Sequence, residues 1–175
     1  MKVRSLRAGG VALAALLVTA GASAPAEAQR RGRGPNWVIC PDPTVRCRTL
    51  NQFEPHELPF RVTAASWVIT ETEPFYAIVL RSVRDPSRGS NCNVFIPEAE
   101  RLEAQALFPR RKVFASRCYD PSEVYYTNVA EDQQFMAVYA GRTRAEAEAV
   151  LARVRATGKY PGANLRRMRA GFNGT

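Results

Sequence analysis

The chain has 175 residues, with 25 Lys and Arg against 16 Asp and Glu for a formal charge of +9, four cysteines and one histidine. That length suits one domain with a real core, and one histidine with these cysteine spacings fits no Cys-rich zinc template, so no metal or cofactor is expected. A basic balance calls for acidic partners.

The N-terminus says where such partners would be met. Lys2, Arg4 and Arg7 form a basic region, Val11 to Ala22 an apolar run, and Ala26-Glu27-Ala28 an A-x-A cleavage site. Residues 1–28 therefore read as a secretory signal peptide. The run is shorter than the roughly 20 residues a membrane span needs, so no stable span is expected after cleavage. The expected location is periplasmic or otherwise secreted, with Gln29 the first mature residue. Losing three basic residues and one acidic residue leaves +7. Export excludes nucleic acid as a partner and leaves cell-wall polymer, anionic lipid head groups or an acidic envelope protein. Simple solubility explains the same charge equally well.

Residues 29–73 divide into a flexible basic lead, QRRGRGPN at 29–36, and a proline-rich arm. Pro41, Pro43, Pro55, Pro59 and Pro74 favour irregular or extended chain laid over a domain. Trp67 to Thr70 is the best strand candidate there, and Phe53, Leu58 and Phe60 are expected to fix the arm to the body. His56 has no nucleophile near it in sequence. Cysteines of an exported chain are expected to pair. Cys40 and Cys47 flank the turn-rich Pro41-Asp42-Pro43 and suit a local bridge, which leaves Cys92 with Cys118.

The domain itself is expected over 74–175. Phe75 to Val83 reads as a strand and 84–93 as a turn-rich loop carrying Cys92. Pro97 suits the first turn of a helix and Glu98 and Glu100 its positive end. Ala99, Leu102, Ala106 and Leu107 give that helix an apolar stripe, and Pro109 stops it. Lys112 to Cys118 is a strand, and Val124 to Val129 a short strand or hairpin arm.

The clearest punctuation lies between Phe135 and Phe172. A strand over 135–141 ends at Gly141, and Thr143 with Glu146 forms a T-x-x-E capping box. Ala147, Val150, Leu151 and Val154 fall on one helical face. Gly158 and Pro161 end the helix, and Leu165 to Ala170 is the last strand.

These two halves answer one another. Phe75, Ala77 and Ile78 match Phe135, Ala137 and Val138, and Glu98-Ala99-Glu100 matches Glu146-Ala147-Glu148. Two β-α-β units give an α+β, ferredoxin-like β-α-β-β-α-β sheet with both helices on one face, preceded by the irregular disulfide-looped arm. The strands of one such unit are parallel, which would bring Cys92 and Cys118 to the same sheet edge. Alternation turns Tyr76, Ile78, Leu80, Met136, Val138 and Ala140 to the helices. It leaves Phe75, Ala77, Val79, Arg81, Phe135, Ala137 and Tyr139 on an open face. So aromatic a face needs either a ligand or a cover, and the arm, with Trp37, Phe53, Phe60 or Trp67, is the available cover.

Signal peptide, basic spacer and duplicated β-α-β resemble the SPOR (sporulation-related repeat) family over about residues 74–172. The motifs that carry the resemblance are Phe135-Met136-Ala137-Val138-Tyr139-Ala140-Gly141, Ala145-Glu146-Ala147 and Gly158-Lys159-Tyr160-Pro161. In the first half Arg81 stands where the family has glycine, and Val79 where it often has glutamine. The resemblance implies a non-catalytic module that binds peptidoglycan glycan strands through the open face, at Phe75, Val79, Arg81, Phe135 and Tyr139, with Tyr125 on the neighbouring hairpin arm. The other reading is an envelope protein-interaction or structural factor whose face is closed by its own arm or a partner. No catalytic residues are expected, because Glu98, Glu100, Glu103, Glu146 and Glu148 lie on helix surfaces and form no carboxylate pair across a cleft. Arg166, Arg167 and Arg169 read as a basic patch for envelope anions or as a solvated edge strand.

Overall fold

Two long strands carry the fold. β-Branched and aromatic residues make 75–84 and 133–141 strong strand formers, and in the computed structural model they pair antiparallel from Ala77 opposite Tyr139 to Arg84 opposite Gln133. Residues 37–49, 52–61, 70–88, 93–117 and 124–172 are described. The signal peptide, the basic lead, the Trp67–Ile69 part of the expected arm strand and the expected Cys92–Cys118 bridge fall outside them.

The elements in chain order are β1 (Val38–Ile39), β2 (Phe60–Arg61), β3 (Thr70–Glu71), β4 (Phe75–Arg84), α1 (Glu98–Leu107), β5 (Val113–Ala115), β6 (Val124–Tyr126), β7 (Gln133–Gly141), α2 (Arg144–Ala156), β8 (Asn164–Met168) and β9 (Ala170–Phe172). The main sheet runs β5-β7-β4-β8, with every neighbouring pair antiparallel. The fold is α+β, with two helices and antiparallel sheets. Among the described residues no helix is long and apolar enough to cross a membrane.

Helix α2 forms as its sequence dictates. Thr143 Oγ1 accepts from the Glu146 amide at 3.3 Å, and the Glu146 carboxylate accepts from the amides of Thr143 and Arg142 at 2.9 and 2.8 Å. Gly141 has φ of +120°, and a Cβ there would lie 2.6 Å from Glu146 Oε2. The cap thus closes over a position that only glycine fills. Ala147, Val150 and Val154 bury against the sheet.

Helix α1 starts after Pro97 as expected, with Glu98 and Glu100 in its first turn, but presents another face. Arg101 and Ala104 are buried, while Leu102 is 52% and Leu107 37% exposed. The expected stripe of Ala99, Leu102, Ala106 and Leu107 therefore points outward. The cause is a charge made fit for burial. The Arg101 guanidinium donates twice to the Glu98 carboxylate, at 2.9 and 2.6 Å, and once to the Val113 carbonyl at 2.9 Å. Ile96 and Phe108, just outside the helix ends, supply the apolar contact instead.

The expected single strand over 165–170 is broken at Arg169. β8 stays on the main sheet and β9 enters a second one, ordered β3-β9-β6. Thr72 fixes the switch. Its amide donates to the Ala170 carbonyl at 2.8 Å and its hydroxyl accepts from the Ala170 amide at 3.1 Å. The Arg169 side chain donates to the Thr72 carbonyl at 3.0 Å. Of the three arginines read as a patch, Arg169 is thus a tie between elements, while Arg166 and Arg167 stand exposed on the edge strand β8.

Two cores flank the main sheet. On the helix side lie Ile78, Leu80, Met136, Val138 and Ala140 with Val150, Val154 and Ala104, and Tyr76 packs against them. This matches the expected helix-facing set. On the other side lie Phe75, Ala77, Val79, Phe135, Ala137 and Tyr139 with Trp37, Ile39, Leu58 and Phe60 of the arm. The expected Cys40–Cys47 bridge is present and closes the loop between β1 and the body.

Candidate functional site

The face that alternation leaves open is covered by the chain's own arm. Phe75 is 0%, Phe135 2% and Tyr139 6% exposed. Phe75 stacks on Tyr139 with ring centres 5.7 Å apart, and Phe114, from β5, meets the edges of both Phe75 and Phe135 at 6.1 Å. Over them the arm lays Trp37, Ile39, Leu58 and Phe60, with Phe53 edge-on to Phe60 at 5.1 Å. Phe53, Leu58 and Phe60 do fix the arm to the body.

Hydrogen bonds hold the cover down as well. The Leu58 amide donates to the Tyr126 hydroxyl at 3.0 Å, and burial raises that phenol well above its ordinary range. The amides along β5 are taken as well, Val113 N by Gln105 Oε1 at 2.9 Å and Ala115 N by the His56 carbonyl at 2.8 Å, with Lys112 N just before the strand bonded to the Pro41 carbonyl at 2.7 Å. The β5 edge of the main sheet is thereby closed to strand addition. Glu57, 6% exposed, accepts from the amides of Glu54 at 2.7 Å and Val124 at 3.2 Å.

His56, on the arm itself, is also buried, among the charges of Arg117, Glu98, Arg101 and Lys112. Desolvation, then the nearby Arg117, pushes its imidazole down to about 4. Arg117 reaches the Glu98 carboxylate at 3.2 Å and lies over the Phe95 ring at 5.3 Å. Hydrogen bonding from Arg101, with the charges of Arg101 and Arg117, holds Glu98 below the usual carboxylate range. Lys112 donates to the Pro55 carbonyl at 2.7 Å, and burial brings its ammonium down to about 8. The cluster binds arm, α1 and β5 together.

Arg81 needs correction. A bulge between Val79 and Arg81 leaves Leu80 without a partner on β7, so Arg81 stands opposite Met136, a helix-side residue. Beyond such an extra residue the alternation inverts. Arg81 accordingly pairs with Glu100 of α1 and does not share a face with Phe75, Val79 and Tyr139. Ser82 takes the arm-side position, opposite Phe135.

Two grooves border this face. One, of about 440 Å³, is lined by Ser116, Arg117, Tyr125, Gln134 and Phe135, with Arg88 and Glu131 among the others. The second, of about 450 Å³, shares Val129, Gln133 and Phe135 and adds Val79, Ser82, Asn128, Asn164 and Arg166. Of the six residues expected on the ligand face, Val79, Tyr125 and Phe135 meet these grooves, whereas Phe75 and Tyr139 lie under the arm. Tyr125 is half-buried, opposite Gly171 in the β6–β9 ladder, with its hydroxyl 3.4 Å from Glu71 Oε1. Sequence reasoning missed Gln133, Gln134 and Asn164. Their only signal was polar side chains on strands otherwise rich in apolar ones. No protein-family model, curated protein or solved structure matches the chain.

Proposed function

We propose that this is a non-catalytic envelope factor, acting in protein interaction or as a structural element, with its aromatic sheet face closed by its own arm. The observation that carries the reading is the near-complete burial of Phe75 and Tyr139 with Trp37, Ile39, Leu58 and Phe60 of the arm, and of Phe135 against Phe114 and Tyr126. A face held by aromatic packing and by hydrogen bonds from Leu58, Lys112 and Ala115 offers no platform to a sugar ring. Export to the periplasm, through the signal peptide at 1–28, belongs to the same proposal, and the Cys40–Cys47 bridge is consistent with an oxidising compartment. The interleaved order β5-β7-β4-β8 supports a ferredoxin-like reading of the duplication, and with it the SPOR-like one.

The test is co-sedimentation of the mature protein with purified peptidoglycan sacculi, beside crosslinking in intact cells. Crosslinks to a defined envelope protein and no retention on sacculi are expected.

Glycan binding is the second reading, and one observation favours it: Val79, Tyr125 and Phe135 still border open grooves that also carry Asn128, Asn164 and Arg166. Retention on sacculi that Tyr125→Ala abolishes at unchanged thermal midpoint would replace the first reading by this one.

A further inference from the structure

The groove of about 440 Å³ is within the size range of small-ligand sites, and two of its lining residues carry buried polar atoms with no partner. Gln134 is 5% exposed and its Oε1 accepts no hydrogen bond. Arg117 has two uses for its guanidinium, Glu98 and the Phe95 ring, and neither engages its Nε, which is likewise buried and unpaired. Leaving such atoms unmatched is costly, and more so for a charged group. They are an acceptor and a charged donor on side chains that line one cavity, each atom covered in the empty groove and reached when its side chain turns outward.

Around them the lining is sorted by chemistry. Tyr125 and Val129, both half-buried, and Phe135 give an apolar wall. Arg88 brings a second guanidinium, which among the described residues makes an exposed 3.5 Å contact with Glu131, the kind of pair worth little in water and readily exchanged.

We propose that this groove binds the carboxyl terminus of a peptide, with an apolar or aromatic last residue. The backbone N–H of that residue donates to Gln134 Oε1 and its carboxylate accepts from Arg117 Nε and Arg88. Its side chain lies on Tyr125 and Val129. Inorganic phosphate supplies charge without an N–H donor for Gln134, and a neutral sugar supplies hydroxyls without a charge for the arginines. The secondary amide beside a carboxylate matches both. The inference rests on the interaction-factor reading and names the chemistry of the partner.

The test is a ¹⁵N-resolved NMR titration of the mature protein with N-acetylphenylalanine, with N-acetylphenylalaninamide and N-acetylmuramic acid as comparators. The acid is expected to shift the Gln134 carboxamide and Arg117 Nε–H resonances, and to bind about tenfold or more tightly than the amide, which lacks the carboxylate. Gln134→Leu should lose most of that affinity. Arg88→Asn, at an exposed residue with φ of 53° that asparagine tolerates, should lose it with an unchanged thermal midpoint. No shift at millimolar acid, equal binding of acid and amide, or binding of N-acetylmuramic acid alone would each overturn the proposal. If the acid binds while no envelope protein crosslinks, the wider reading fails and the site stands. If crosslinks form without any effect of the acid, the site fails and the wider reading stands.

Discussion

Gly171 and His56 show how single positions hold this molecule. The Tyr125 ring lies so close over Gly171 that a Cβ there would overlap it. Gly171→Ala therefore has to push the ring out of the β6–β9 ladder or shift β9, and overpacking of this kind costs about 1–3 kcal/mol. A urea-denaturation midpoint equal to that of the parent protein would show that the ring swings aside freely. His56 gives the fold a pH signature. Its folded value of about 4 lies below its unfolded value of 6.5, so between these the unfolded chain binds more protons and stability rises with pH. The contribution is complete above about pH 6.5 and is lost as pH falls toward 4. Glu98 and Glu146, whose values are depressed by their hydrogen bonds, lose theirs only below the ordinary carboxylate range. His56→Leu should flatten the stability profile between pH 6.5 and 4.5, while the fall at lower pH remains. An unchanged slope in that window would assign it to other groups.

At the scale of elements, the arm matters most. Phe60 is fully buried and touches Phe53 across a ring edge, so Phe60→Ala should cost about 3–5 kcal/mol. It should also raise the binding of a hydrophobic dye as the Phe75–Tyr139 face loosens, and a small loss without dye binding would mean that the arm closes up around the gap. Residues explain which elements were legible. β4, β7 and α2 are written locally, in the alternation of Tyr76, Ile78 and Leu80 and in the Thr143–Glu146 cap. The face of α1 is not, because Arg101 becomes a core residue only once Glu98 and the Val113 carbonyl are beside it. The bulge at Leu80 is equally silent. It is a mismatch of register with β7, and the residues of β4 alone carry no trace of it. The break at Arg169 depends on Thr72, 97 positions away along the chain. Among the ligand-face residues, the shared side of Phe75, Val79, Phe135 and Tyr139 was readable from period two, and the arm's Trp37, Phe53 and Phe60 marked it as the available cover. That Ile39 and Leu58 complete the cover was not readable, because it is made by packing between distant segments.

Among the described residues a central sheet has helices on one side and the arm on the other. Such a layering leaves the interior of the sheet no free face, so contact with other molecules passes to its rims, where Arg88, Gln134 and Arg166 stand. The Cys40–Cys47 bridge lies at the start of the covering layer. A loop of this size stabilises by about 2.5 kcal/mol in the chain-entropy account. The doubly substituted Cys40→Ser, Cys47→Ser protein should unfold at correspondingly lower urea, with the amide protons of residue 40 and of Lys112, which tie the arm to itself and to the body, exchanging faster than those of β4 and β7. Equal protection across arm and sheet would mean that the arm is held by packing alone. The strand β9 adds one more consequence. It sits between β3 and β6, so its register sets both, and a strand with glycine at its centre is weakly held in register. Sliding β9 by one position would put Ala170 or Phe172 beneath the Tyr125 ring, where only a hydrogen fits. Gly171 is thus the notch of a key: it makes the correct alignment the one that closes, and it sets where β3 and β6 lie by refusing every neighbour of the right answer.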